Sequence, residues 1–412
     1  MTESPRIVDG QNQTSAVTTG TPMTDAPNER RLPVLALISL ALIGFILVAM
    51  ETMPAGLLPD IAQGMATTEG TVGLFVSAYA LGTVIVTVPA ISLTRGFRRK
   101  PLLLTTVAGL ILANTVTAIS PDVVVSLASR FVAGSFSGVI WGMLAAYAIR
   151  ISPPTRSGLA LSIMSIGAPL GFAFGTPLGA FIGGLTDWRW SFTGLSLIGL
   201  LVGVVILICV PDSPGLPATT RIPLSRVFVL RGVPIVLFVI VVWMLAHSTI
   251  YTYIAPYLRT TGTGITPDVM LLVYGVASLG GVALTGFFLD RHPRPLLHLS
   301  ALTFTAAGAV LLVGHASPAA VLVAAVLWGL SFGGTAPQLQ NALTHAGGDN
   351  ADIANSFLPV AFNVAIFGAG ILGAALLAGA DGLILPATMT VLGLLAVALT
   401  VVGRRTAFAE RH

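Results

Sequence analysis

Three side chains able to do chemistry stand in strongly apolar stretches: Glu51 in AMETMP, Arg130 in ASRFV and His247 in LAHST. A carboxylate in such surroundings is protonated when desolvated and ionised when it meets water or a cation, the behaviour a proton-carrying group needs. A guanidinium in hydrocarbon costs about 2.5–3.5 kcal/mol even on the lenient insertion scale, so Arg130 needs water, a partner or a short reach to the surface. A lone histidine far from water is a candidate for a proton or substrate role, or a packed ring with neither.

The elements that hold these groups follow from composition. The chain has 412 residues, 55% hydrophobic and 9% charged, with mean hydropathy +0.92. Soluble domains carry roughly 25% charged residues, so lipid is the expected solvent. Apolar runs of about 20 residues recur along the sequence, and no segment alternates with period two, which predicts helices and not a barrel. The spans read 33–58, 71–93, 101–119, 122–148, 158–183 and 190–210, then 233–257, 268–289, 296–314, 317–338, 353–378 and 382–403. The predicted organisation is a disordered cytoplasmic tail (1–32), a six-helix bundle (33–210), a cytoplasmic linker (211–232), a second six-helix bundle (233–403) and a short cytoplasmic tail (404–412). The apolar run after Arg30 and Arg31 is too long for a signal-peptide core and is read as a retained first span.

Arginines set the expected orientation. With the N terminus in the cytoplasm, Arg95, Arg98, Arg99, Lys100, Arg150, Arg156, Arg221, Arg226, Arg231, Arg291, Arg294, Arg404 and Arg405 fall inside, and the outer loops keep Arg189 and Arg259. Glu51 lies seven residues before the predicted end of span one and Arg130 seven after Val123 in span four. Seven residues rise roughly 10 Å, so the two charges share a depth and are expected to partner. A static ion pair, or an Arg130 that snorkels outward, is the plain alternative. The halves also repeat at an offset of 196 residues: Arg95 and Arg98 match Arg291 and Arg294, and Gly138 matches Gly334.

Span five carries Gly167, Gly171, Gly175, Gly179 and Gly183, with Pro169 and Pro177 inside it. Glycine at every fourth position lines one face, where another backbone can approach closely. After span eight the chain reads Gly286-Phe-Phe-Leu-Asp290-Arg291-His-Pro-Arg294. These features resemble the major facilitator superfamily, and within it the twelve-helix drug:proton antiporter branch of arabinose- and chloramphenicol-type efflux proteins. The loop motif Gly-x-x-x-Asp-Arg-x-Gly-Arg is nearly complete in the second copy; the first keeps Arg95 and Arg98 but has Thr94 where the acid belongs. The resemblance implies a latch favouring the state closed to the cytoplasm, with Gly286 permitting close helix approach and the arginines holding carboxylates or phosphates. Arg130 with Gly134 resembles the family's Arg-x-x-x-Gly stretch. Gly175-Thr-Pro177-Leu-Gly179 looks like the antiporter motif, which implies a tight seam between spans five and eight. Positive-inside anchoring alone would account for the arginines, though not for Asp290.

Candidate cavity residues are Tyr79, Trp141, His247, Tyr251 and Asn363, which could stack on or hydrogen-bond a ligand. Each is also a plausible packing residue. The single lysine, Lys100, sits between Arg99 and Pro101, so no phosphate-cradling loop exists and ATP hydrolysis is ruled out. One Glu, one Arg and one His within the spans do not build an enzyme's catalytic cluster. One cysteine, Cys209, supports neither a disulfide nor a metal cluster. The expected activity is secondary export of a small, moderately hydrophobic compound in exchange for protons; sugar or nucleoside export, or a receptor or channel on the same fold, are the rivals. No cofactor, metal or nucleic acid is expected; the partners are a small-molecule substrate, protons and the lipid bilayer, and the chain is expected to be a monomer.

Overall fold

The computed structural model describes residues 32–94, 96–215 and 232–405. The expected tail, Arg95, Arg221, Arg226, Arg231 and most of the linker lie outside the described residues.

Twelve apolar helices long enough to cross a membrane make up the described chain: α1 Val34–Gly56, α2 Glu69–Leu93, α3 Arg99–Ile119, α4 Val123–Arg150, α5 Pro154–Leu185, α6 Trp188–Cys209, α7 Val233–Thr252, α8 Pro267–Phe288, α9 Pro293–Val313, α10 Pro318–Gly347, α11 Ile353–Gly379 and α12 Ile384–Val402. They form two pseudo-symmetric six-helix bundles, α1–α6 and α7–α12. Four helix starts at the end away from the chain termini, those of α2, α4, α6 and α10, are capped by side chains: Thr68, Asp122, Asp187 and Ser317 each accept from a backbone N–H of the first turn.

Two spans differ from their expected form in a matched way. α1 stops at Gly56 and a short helix Leu58–Gly64 follows; α7 stops at Thr252 and Ile254–Thr261 follows. Pro59 and Pro256, just past the breaks, lack the N–H groups owed to Ala55 O and Thr252 O at the ends of α1 and α7. The break residues, Leu57 and Tyr253, are 196 residues apart, the offset of the repeat. α10 outruns its expected end at 338: it bends at Gly334 and continues as Thr335–Gly347. The polar residues there do not end it, because Gln338 is buried and donates to Thr285 Oγ1 (2.9 Å) and Ser300 Oγ (3.1 Å).

Backbone contact between α2 and α4 is mirrored between α8 and α10. A Cβ on Gly134 would lie 1.8 Å from the carbonyl oxygen of Tyr79, and one on Gly329 2.3 Å from that of Tyr274. Only glycine fits at either place.

The α5 glycines have a different partner from the expected one. Gly167, Gly171, Gly175 and Gly179 pack on Ala41, Val48, Ala49 and Met53 of α1, and Gly183 on Leu57 just beyond it, so this seam lies within the first bundle. The α5–α8 contact uses Gly275 of α8 instead, whose added Cβ would stand 2.4 Å from Ala173 Cα. Pro177 lacks the N–H owed to Ala173, and over Gly171–Gly175 the helix widens to a π turn.

The bundles are tied together at the end away from the termini. Arg259, beyond α7, grips both carboxylate oxygens of Glu69 of α2 through Nη1 and Nη2. Tyr253 Oη is placed to donate to Gly370 O (2.7 Å) or Gly70 O (3.2 Å), and Ser77 Oγ donates to Phe367 O (2.8 Å). Tyr253 is seated in a notch that Gly73 leaves open, since a Cβ there would come within 2.0 Å of its hydroxyl.

Candidate functional site

Glu51, Thr52 and Ala55 of α1, Val76 of α2, Phe172 of α5, five residues of α7 (Met244, His247, Ser248, Tyr251, Thr252) and Ile366 of α11 enclose a narrow cavity between the bundles. Its volume is about 30 Å³, room for little more than water and far below the roughly 300–1,000 Å³ of ligand pockets, so a larger molecule fits only when the bundles move apart. Glu51 and His247, the two titratable groups singled out in the sequence, therefore face one space. His247 lies 196 residues after Glu51, so they are counterparts in the repeat.

Arg130 does reach α1 at the depth of Glu51, but it does not pair with the carboxylate. Its Nη2 donates to Met50 O (2.7 Å) and Glu51 O (3.3 Å), and its Nε approaches Phe75 O (3.5 Å). Pro54 explains the choice: it has no N–H for Met50 O, and Arg130 supplies the missing donor. The guanidinium is fully buried and lies 4.6 Å from the centre of the Tyr79 ring, over its face. Among the described residues neither Glu51 Oε1 nor Arg130 Nη1 has a hydrogen-bond partner. A charged scaffold is thus built under Glu51 while its own oxygen stays available.

His247 is held quite differently. Trp328 Nε1 donates to His247 Nδ1 at 3.0 Å. An indole nitrogen can only donate, so Nδ1 carries no proton in this arrangement. The imidazole stacks on Phe332 (centroids 3.5 Å, planes 11° apart) and is walled by Tyr251, Tyr274 and Trp328. From across the bundle interface Phe172, carried by the π turn of α5, sets its ring edge-on to both His247 (6.5 Å) and Tyr251 (6.0 Å). Tyr251 Oη is buried beside the Thr52–Thr176 hydroxyl pair, close enough to interact with both hydroxyls.

Among the expected ligand contacts, His247 and Tyr251 line the cavity, and Tyr79 lies outside it beneath Arg130. Trp141 packs instead near Gly44, and Asn363 donates to Pro359 O of its own helix. Thr52, Phe172, Ser248, Thr252, Trp328 and Phe332 were not anticipated. Hydroxyls and aromatics are common in membrane helices and carry no mark of their own, although the offset from Glu51 to His247 was a usable signal.

The loop motif shows a similar asymmetry. Nothing approaches Gly286 within 4 Å of an added Cβ, so it mediates no close helix contact here. Asp290 and Arg291 are exposed, and no ion pair of Asp290 occurs among the described residues. Arg98 does hold a carboxylate, but from outside the motif: Asp212, at the start of the linker, accepts from its Nε (2.6 Å) and from Lys100 N (3.1 Å). Desolvation raises the Asp212 pKa, yet the bonds from Lys100 N, Arg98 and Ser213 N outweigh it and leave the carboxyl below its ordinary value. Tyr147 and Arg150 also bond the carbonyls of Pro211 and Pro214, fixing this stretch to α4.

The Major Facilitator Superfamily profile matches residues 40–370. The chain belongs to the major facilitator superfamily. Its members are membrane transporters of small molecules, not enzymes. A probable sugar efflux transporter of Helicobacter pylori (strain P12) is 28% identical over 339 residues, 81% of this chain and 86% of that protein. A chloramphenicol efflux pump of Mycobacterium tuberculosis (strain H37Rv) is 29% identical over 374 residues, 88% of this chain and 90% of the pump. In shape the chain is similar to a D-xylose–proton symporter, at a TM-score of 0.71 and 14% identity over 91% of this chain and 97% of the symporter. That last likeness concerns the fold.

Proposed function

We propose that this superfamily member exports a small, moderately hydrophobic compound from a bacterial cell in exchange for protons, by alternating access, with Glu51 as the proton carrier. The observation that carries this reading is the unpartnered Glu51 Oε1 in a cavity between the bundles. A carboxylate that already had an ion-pair partner would have little reason to release and regain a proton with each cycle; this one lies near a guanidinium whose Nη2 is given to backbone carbonyls and whose Nη1 has no hydrogen bond among the described residues. Phe172, Met244, Val76 and Ile366 make much of the wall apolar, in keeping with an amphipathic substrate. The chloramphenicol efflux pump among its relatives supports the same class.

The arginine distribution supports an inner-membrane protein with both termini cytoplasmic. On that orientation the Arg259–Glu69 and Tyr253 contacts close the outer side. Asp290, which has no ion pair among the described residues, then fits a cytoplasmic latch that is disengaged. Rocking about the α5–α8 contact would break the outer contacts and form the inner ones.

A second reading, export of sugars, is favoured by the hydroxyls of Thr52, Ser248, Tyr251 and Thr252 around the cavity and by the sugar efflux relative. Reconstitution into liposomes loaded with a pH-sensitive dye separates the two. Chloramphenicol-dependent proton movement that vanishes in Glu51→Gln is expected. Arabinose-dependent movement instead would select the second reading, and flux persisting in Glu51→Gln would remove Glu51 from the proton path.

A further inference from the structure

The two poles of the cavity differ in what they can offer a ligand. On the α1 side Glu51 Oε1 is an acceptor with no partner. On the α7 side His247 has surrendered Nδ1 to Trp328, and with it the second proton: an imidazolium donates from both nitrogens and would set Nδ1–H against the indole N–H. Stacking on Phe332 and the surrounding Tyr251, Tyr274 and Trp328 rings fix the plane of the imidazole. With Nδ1 committed inside the second bundle, the one N–H the ring can present is Nε2–H, and His247 is part of the cavity wall.

Resting on the reading of this cavity as the transport site, we propose that His247 is a substrate-orienting hydrogen-bond donor, held by Trp328 as the neutral Nε2–H tautomer. The molecule it takes is neutral. Such a substrate presents an acceptor oxygen to Nε2 at one pole and a hydroxyl or amide hydrogen to Glu51 at the other, with an apolar face against Phe172. Trp328 acts through His247 as a positioning residue. The assignment separates two jobs: proton exchange at the α1 pole, and recognition at the α7 pole, whose hydrogen-bonding character stays constant while Glu51 titrates. Facing His247, the other titratable groups are Tyr251 on its own helix, Tyr274 on α8 and Glu51 across the cavity; α5 and α10 contribute aromatic rings and no charge.

The tautomer is read directly by nitrogen NMR of ¹⁵N-histidine-labelled protein in lipid nanodiscs, with the His247 signal assigned by its loss in His247→Gln. The expected result is a neutral ring with an unprotonated Nδ1 throughout the window from about pH 5 to 8, and in Trp328→Phe a ring that populates the Nδ1–H tautomer. An imidazolium or an Nδ1–H tautomer in the native chain at neutral pH overturns the proposal. Binding of radiolabelled chloramphenicol and arabinose supplies the second arm. His247→Phe keeps the stack on Phe332 but removes the donor and is expected to weaken binding of the accepted probe at least about tenfold, while His247→Gln, which keeps an N–H, stays within about threefold, the scale of one hydrogen bond. Native affinity in His247→Phe, with Glu51→Gln still abolishing proton movement, sinks the donor role and leaves the transport reading standing. A native chain that binds neither probe and moves no protons with either overturns the cavity reading and this inference with it.

Discussion

The two bundles descend from one repeat, yet at equivalent positions they hold a carboxylate and an imidazole by opposite means. Glu51 stands above a buried cation and keeps an oxygen free; His247 is tied through a ring nitrogen to a neutral donor. The tyrosines that flank the poles, Tyr79 and Tyr274, occupy matching places in the α2–α4 and α8–α10 contacts, so the backbone framework is shared. What differs is the side chain sent from the fourth helix of each bundle, Arg130 in one and Trp328 in the other. Similar geometry therefore yields one pole able to change charge and one built to avoid it.

The sharpest way to break this comparison is to neutralise each pole in turn. Glu51→Gln is expected to abolish substrate-driven proton movement in liposomes, whereas His247→Gln leaves the coupling in place. Loss of coupling in both variants would mean that the poles share the proton and that the asymmetry is not functional.

Arg130→Leu comes next. It removes a guanidinium from two carbonyls and orphans Met50 O, and a loss of about 1.5–3 kcal/mol in unfolding free energy is expected. The cause assigned here, the N–H missing at Pro54, can be tested by a double-mutant cycle. In a Pro54→Ala background the residue 54 N–H satisfies Met50 O, and Arg130→Leu should cost about 1 kcal/mol less. Additive costs would show that Arg130 is there for another reason.

Trp328→Phe removes the matching contact at the other pole. The lost hydrogen bond is between neutral groups, so the expected destabilisation is smaller, about 1 kcal/mol, measured as a shift in thermal unfolding in detergent. An effect as large as that of Arg130→Leu would contradict the picture of a neutral, replaceable lock on stability grounds.

These differences set how much could be read before the structure was in hand. Spans, their number and the repeat are written in hydropathy and arginine placement, because lipid imposes the same demand on every helix. Glu51, Arg130 and His247 stood out for the same reason: a polar group in an apolar run is conspicuous. The use each is put to was not legible. Depth alone suggested that Arg130 answers Glu51, while the donor missing at Pro54 decides that it answers the backbone. Glycines at four-residue spacing announced a close approach in α5 without saying that α1 was the partner. Phe172 reaches the cavity on a π turn, and a helix that locally changes its own period leaves no periodic trace in the sequence.

The smallest expected effect concerns the loop motif, where the halves again differ. The first copy lacks its acid at Thr94, and Arg98 is answered by Asp212 from beyond α6; the second copy keeps Asp290, which is exposed and has no ion pair among the described residues. Because the folded Asp212 carboxyl titrates below its ordinary value, its contribution to stability is fully present above that value. It is lost as the pH falls through the folded one. Arg98 is largely exposed, so solvent screens the pair and the effect is modest. Melting temperatures of the native chain and Asp212→Asn should therefore differ slightly near neutrality and converge as the pH drops below the ordinary aspartate range. Asp290→Asn should leave the melting temperature near neutrality unchanged. A larger effect from Asp290 than from Asp212 would place the engaged latch in the second bundle and reverse the assignment.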